Sequence, residues 1–120
     1  MFADDSDTVR GLIKQILIES NPQWEIHEAR TGKEALEAAL LLKPDLMLLD
    51  INLPDIQGHE VAQTIRKSLP SAKIVLCSLS DLADVSGEMK ASGADAYISK
   101  LAPMEEFHNI LAALIGTSQK

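Results

Sequence analysis

The sequence predicts one α/β domain, a parallel sheet with helices wound over both faces. Three observations predict it. Apolar runs alternate with segments of 3.6-residue periodicity along the whole chain. Two runs, 46–49 and 74–77, are continuous enough to be strands buried on both faces. The chain has 120 residues, 46% hydrophobic but only 3% aromatic, which allows one aliphatic core of Leu, Ile, Val, Ala and Met and leaves no length for a second.

Met1, Phe2 and Ala3 are the only apolar residues before Asp4-Asp5, which is short for a strand. Ser6 can cap a first helix in which Val9, Leu12, Ile13, Ile16 and Leu17 keep the helical period, and Asn21-Pro22 closes it. Trp24 to Ala29 reads as an amphipathic edge strand with Trp24, Ile26 and Glu28 on one face. Thr31 and Glu34 form a capping box for a second helix ending at Leu42, with Ala35, Leu36, Ala39 and Leu40 as its inner stripe and Lys43-Pro44 as its stop.

A strand from Asp45 to Asp50 follows, and Pro54 and Gly58 force a loop after it. The third helix runs from about His59 to Ser68 with Val61, Ala62 and Ile65 inward, and Pro70 ends it. Lys73 to Ser78 is the next strand. A fourth helix lies between Leu82 and Ser92 with Leu82, Val85 and Met89 facing in, terminated by Gly93. Gly87 within it costs about 1 kcal/mol against alanine, so this is expected to be the least stable helix. Ala94 to Ser99 makes the last strand. Pro103 suits a first helical position, Glu105 and Glu106 the positive end, and Phe107, Ile110, Leu111 and Leu114 the inner stripe of a fifth helix closed by Gly116. The domain then spans 1–116, with 117–120 a linker or frayed end.

Composition removes several function classes. A net charge of -7 argues against direct nucleic-acid binding, which needs clustered Lys and Arg. It suits a basic partner surface or a bound cation. The one cysteine, Cys77, rules out an internal disulfide and fits the cytoplasm. No apolar segment approaches the roughly 20 residues of a membrane span, so no membrane association is expected. The opening residues lack the basic and apolar regions of a signal peptide. No Gly-rich phosphate loop follows the first strand, which argues against a nucleotide or flavin domain.

In a parallel sheet the C-terminal strand ends share one edge, where α/β proteins place their chemistry. Asp4 and Asp5 end the first strand, Asp50 the third and Ser78 the fourth, and Lys100 follows the fifth. Three carboxylates packed together repel and would raise their own pKa values unless a cation joins them. Mg2+ fits a set of carboxylates, a backbone carbonyl (that of Asn52) and waters. With charge neutralised, Asp50 can attack a phosphoryl group, Lys100 offsets charge on it and Ser78 hydrogen-bonds one of its oxygens.

These segments resemble the receiver domain of bacterial two-component response regulators. The matching features are Asp4-Asp5, Leu48-Leu49-Asp50-Ile51-Asn52-Leu53-Pro54-Asp55-Ile56-Gln57-Gly58, Ile74 to Ser78, and Gly93 to Lys100, and together they cover essentially the whole chain. The resemblance implies a flavodoxin-like doubly wound (βα)5 fold of strand order 2-1-3-4-5. It also implies that Asp50 accepts a phosphoryl group from a sensor histidine kinase or phosphotransfer protein. Asp5 would bind Mg2+ directly and Asp4 partly through water, while Ser78 and Tyr97 would act as switch residues whose inward movement changes the partner affinity of a face built from the fourth helix, fifth strand and fifth helix. A homodimer is a further partner the resemblance allows. Lys100 to Pro103 looks most like regulators that carry a LuxR/NarL-type helix-turn-helix domain controlling transcription. The family's lysine precedes a cis bond, which here would be Lys100-Leu101.

Two departures set further expectations. The first strand is unusually short, so part of the ladder beside it is expected to be unfilled unless the chain begins late, dimerises or pairs over less length. Leu79 is bulky where small residues are common, and with Asn52 and Ser80 flanking the water approach, slow autodephosphorylation is expected. The short strand also supports an alternative, a non-phosphorylated pseudo-receiver serving as a dimerisation or docking module. A hydrolase with an aspartate nucleophile would need a general acid where this chain has Asn52.

Overall fold

The structure, a computed structural model, describes residues 1–20, 25–78, 86–100, 105–106, 109–110 and 113. Five strands form one parallel sheet: β1 (Phe2–Ala3), β2 (Glu28–Ala29), β3 (Leu46–Asp50), β4 (Lys73–Ser78) and β5 (Ala96–Ser99), in the order β2-β1-β3-β4-β5. This is the doubly wound, flavodoxin-like (βα)5 arrangement expected from the resemblance. The helices are α1 (Asp7–Ser20), α2 (Gly32–Leu42), α3 (Gly58–Ser68) and α4 (Ser86–Ser92), and Glu105, Glu106, Asn109, Ile110 and Ala113 are helical where a fifth helix was expected.

Alternation along the central strands divides the core in two. Met47 and Leu49 of β3 and Ile74 and Leu76 of β4 face one side, against Ala35 and Ala39 of α2 and Val61, Ala62 and Ile65 of α3. Leu48, Val75 and Cys77 face the other, with Phe2, Ile98 and Leu17 of α1. The α3 stripe read from the sequence is wholly buried, and β4 has the expected bounds.

Local signals also hold. Ser6 Oγ accepts from the Val9 N–H at 3.3 Å, and Thr31 Oγ1 accepts from the Glu34 N–H at 3.1 Å. Glu34 closes its side of the box on the Arg30 N–H, one residue earlier than expected. Lys43 ends α2 in the left-handed region (φ 50°) and donates its N–H to the Ala39 carbonyl.

Two expectations need correction. Leu12 is 58% and Leu40 48% exposed. At about 100° per residue, each sits at the outer margin of its helix's buried arc, which centres on Ile13 and Leu17 in α1 and on Ala35 and Ala39 in α2. Of the edge strand expected from Trp24 to Ala29, residues 25–29 give only the two-residue β2, which matches the two residues that its neighbour β1 offers for pairing.

β1 pairs over the reduced length that its short sequence allows, and the main-chain groups described beside it are bonded. The Met1 ammonium donates to the Leu46 carbonyl at 2.9 Å, the Leu48 N–H to the Met1 carbonyl, the Phe2 N–H to His27 and the Asp4 N–H to Ala29. Burial pushes the Met1 amine down to about 6.

Trp24, Leu79, Ser80, Leu82, Val85, Pro103, Phe107, His108, Leu111, Leu114, Gly116, residues 117–120 and the Lys100-Leu101 bond lie outside the described residues. No helix among the described residues is long and apolar enough to cross a membrane.

Candidate functional site

Asp50 ends β3, which is flanked by β1 and β4. Leu48 and Leu49 pair with Phe2 and Ala3 on one side, and Asp50 pairs with Cys77 on the other. The chain beyond it is fixed by its own backbone. The Ile51 N–H donates to the Cys77 carbonyl at 2.9 Å and the Asn52 N–H to Asp50 Oδ1 at 3.1 Å. The Gly58 N–H then returns to the Ile51 carbonyl at 2.7 Å. That return needs glycine, since a Cβ at Gly58 would overlap the Asp50 carbonyl oxygen.

Asp4 and Asp5 end β1. The Asp4 side chain is buried and its Oδ1 accepts from the Ser6 N–H at 2.9 Å, while Asp5 is exposed. One carboxylate oxygen from each of Asp4, Asp5 and Asp50 lies within 4.8 Å of the others. Lys100 joins two of them, its Nζ 2.5 Å from Asp4 Oδ2 and 3.0 Å from Asp50 Oδ2. Burial pulls the Lys100 pKa down, but hydrogen bonds and charge from Asp4 and Asp50 outweigh it and hold the ammonium above its ordinary value. Three carboxylates with one open side and a single cation between two of them form an all-oxygen donor set that fits Mg2+ with water completing the shell.

Ser78 is buried at the end of β4, next to the Cys77 that pairs with Asp50. Its carbonyl accepts the Lys100 N–H at 2.7 Å and the Tyr97 hydroxyl at 3.4 Å. Tyr97 is half-buried against the α2/α3 side of the core. The residues expected at the sheet edge, Asp4, Asp5, Asp50, Asn52, Ser78 and Lys100, therefore sit around one corner, and the hydroxyl of Tyr97, expected as a switch residue, reaches it at the Ser78 carbonyl. Cys77 lies beneath it with its thiol pushed by burial up to about 12, so it is a core residue and no nucleophile.

Two polar residues not anticipated from the sequence brace this corner. Arg10 of α1 is buried, donates from Nη1 to the Asp4 carbonyl at 2.8 Å and pairs with Asp7 and Glu28. Its signal was positional, since Arg10 lies three residues before Ile13 and seven before Leu17, on their face. Asp55, in the loop after Asp50, accepts the Gly32 N–H at 2.7 Å and the Lys33 N–H at 3.0 Å at the start of α2. The Lys33 bond is the main reason its carboxyl is held below the usual range, with Gly32 and Ile56 adding to it.

Comparison with known proteins gives a consistent family. The sequence model of the response regulator receiver domain matches residues 1–112. The response regulator VraR of Staphylococcus saprophyticus is 35% identical over 102 residues, covering 83% of this chain and 48% of that protein. The chemotaxis protein CheY of Thermotoga maritima is 32% identical over 105 residues, 86% of each. The chain thus spans about half the length of VraR, and likewise about half of the Pseudomonas GacA regulators it matches. Among solved structures, the response regulator TrrA of Thermotoga maritima in complex with Mg(2+)-BeF superposes with a TM-score of 0.80 at 34% identity, covering 94% of this chain and 95% of that one. A LuxR-family regulator from Aurantimonas gives 0.84 at 28% identity, covering 97% and 84%.

Proposed function

The chain belongs to the response regulator receiver domain family, and from that premise we propose that it is a phosphorylation-driven signalling switch with Asp50 as the phosphoacceptor. The single observation that carries the reading is the meeting of Asp4, Asp5 and Asp50 within 4.8 Å, with Lys100 bridging two of them. An Asp50 carboxylate oxygen forms a bond to phosphorus as the phosphorus–nitrogen bond of a phosphohistidine breaks, and the imidazole leaves with the bonding pair and takes up a proton. The donor is a sensor histidine kinase or a phosphotransfer protein. Mg2+, when bound, neutralises charge on the carboxylates and on the phosphoryl oxygens.

The chain's own groups do the rest. Asp5, the most accessible of the three carboxylates, and Asp50 would hold the ion directly and Asp4 partly through water, with the Asn52 carbonyl as the remaining protein ligand. Lys100 stays protonated and compensates the growing charge at Asp50. Ser78 hydrogen-bonds the phosphoryl group, and Tyr97, already bonded to its carbonyl, follows that movement as the second switch residue. Hydrolysis of the acyl phosphate resets the switch. The TrrA complex with Mg(2+)-BeF, a receiver relative of this length, supports both the ion and the acceptor role.

The finer reading places the domain in a cytoplasmic regulator that controls transcription through a LuxR/NarL-type helix-turn-helix domain. Its support is the likeness to the Aurantimonas LuxR-family regulator and to VraR and GacA, which are about twice as long. The coding sequence around this chain tests it. A helix-turn-helix domain downstream supports the reading, whereas a catalytic output domain or a lone receiver overturns it.

The acceptor role is tested by exposing the chain to acetyl phosphate and Mg2+ and measuring intact mass. One phosphoryl group is expected on the wild type and none on Asp50→Asn. No addition to the wild type would instead favour a dimerisation or docking module.

A further inference from the structure

We propose that Arg10 is a positioning residue for the divalent-cation site, orienting the Asp4-Asp5 peptide; the inference rests on the reading of Asp4, Asp5 and Asp50 as a Mg2+ site. Among the described residues Arg10 is the one basic side chain that is buried, at 9% exposure. A guanidinium is costly to bury unless each of its donors is used, and here they reach three segments at once. Nη1 donates to the Asp4 carbonyl at 2.8 Å, Nη2 pairs with Asp7 in the first turn of α1, and Nε lies 3.4 Å from Glu28 Oε1 on β2.

The Asp4 carbonyl belongs to the planar Asp4-Asp5 peptide, so fixing its direction fixes the plane from which Asp5 departs. β1 itself cannot supply that restraint. It has two residues, and its last ladder bond is the Asp4 N–H to the Ala29 carbonyl at 3.1 Å. Beyond that bond the Ser6 N–H, on the far side of Asp5, is tied to Asp4 Oδ1, while the Asp4 carbonyl is held by the guanidinium. Its planar fork serves acceptors in three directions, which an ammonium on a flexible stem does not.

Charge and geometry make opposite demands on a substitution. A positive group near three carboxylates repels an incoming cation, so loss of Arg10 through charge alone tightens Mg2+ binding. Loss of positioning weakens it, because residues that orient metal ligands are typically worth 10- to 100-fold in metal affinity. The sign of the change separates the two roles.

Mg2+ is titrated by calorimetry into the wild type, Arg10→Gln and Arg10→Lys, with thermal unfolding recorded for each. The Kd of Arg10→Gln is expected to rise about tenfold. Arg10→Lys, which keeps the charge without the fork, is expected to stay weakened by about threefold. Phosphorylation of Asp50 by acetyl phosphate returns toward the wild-type rate in both once Mg2+ is saturating. A folded Arg10→Gln with a Kd equal to or below the wild type overturns the proposal. Should Arg10→Gln not fold, an unchanged Kd in Arg10→Lys overturns it equally. A wild type that binds no Mg2+ sinks the metal-site reading and this inference with it, whereas tight wild-type binding unaffected by either variant sinks this inference alone.

Discussion

Asp4 and Asp50 face the same ammonium from neighbouring strands, yet different forces hold them there. Asp50 ends a five-residue strand whose Met47, Leu48 and Leu49 are buried and whose ladder is made on both sides. Asp4 follows a two-residue strand and is held by polar groups: the Arg10 guanidinium, the Ser6 N–H and the Ala29 carbonyl, with the Met1 ammonium at the strand's start. Apolar burial is strong, undirected and almost indifferent to pH. Polar clamps are directional and respond to protonation. One half of the site is therefore coupled to the stability of the whole domain, and the other is tunable apart from it.

Perturbing each half tests the contrast, and the largest effect is expected on the apolar side. Leu49→Ala leaves a cavity between the sheet and its α2/α3 face, and is expected to cost about 2 to 5 kcal/mol in urea unfolding. Mg2+ affinity per folded molecule should then change little. A tenfold loss of affinity in that variant would break the division proposed between the halves.

Lys100→Met comes next, because Lys100 is shared by both halves. Removing it leaves Asp4 and Asp50 facing one another in a buried corner without their cation, an expected loss of about 2 to 3 kcal/mol that saturating Mg2+ partly restores. The raised Lys100 pKa gives the pH signature. Its contribution is fully present below the unfolded lysine value near 10.5 and is lost as pH rises through the higher folded value. Subtracting the stability profile of Lys100→Met from that of the wild type should leave a difference that is flat from neutrality to about pH 10 and shrinks above it. A difference already shrinking near neutrality would count against the ion pair.

The smallest effect belongs to the Met1 amine. Its folded value of about 6 lies below the ordinary 8.0, so the unfolded chain binds the extra proton between these values and stability rises from pH 6 to pH 8. The slope integrates to at most about 2 kcal/mol. Acetylating the amine of this chain keeps one N–H donor and should flatten that window, as followed by melting temperature.

The same division explains what could be read in the sequence. Residues 46–50, 61–65 and 73–78 were legible because their apolar pattern and their burial are one fact: a continuous run must be covered on both faces, and Val61, Ala62 and Ile65 can share only one face of a helix. The convergence of Asp4, Asp5, Asp50, Ser78 and Lys100 followed from strand ends meeting at one edge. Arg10 was not legible, because a charged residue on an inner face reads as an interruption until its acceptors on two other segments are known. Asp55 was quoted within a matching segment, but its bond to Gly32 and Lys33 joins residues more than twenty positions apart in sequence. The Met1 bond to the Leu46 carbonyl beside β1 comes from an ammonium standing in for a strand N–H, which no propensity encodes.

Asp55 has a mechanical consequence. The loop leaving Asp50 is pinned at Ile51 to β4, at Gly58 to its own start, and at Asp55 to the first turn of α2. A segment bolted at three points behaves as a stator. Across β3 from that stator, the Tyr97 hydroxyl meets the Ser78 carbonyl at 3.4 Å. The movement proposed for Ser78 and Tyr97 on the β4/β5 side would thus have the pinned β3 loop as its frame.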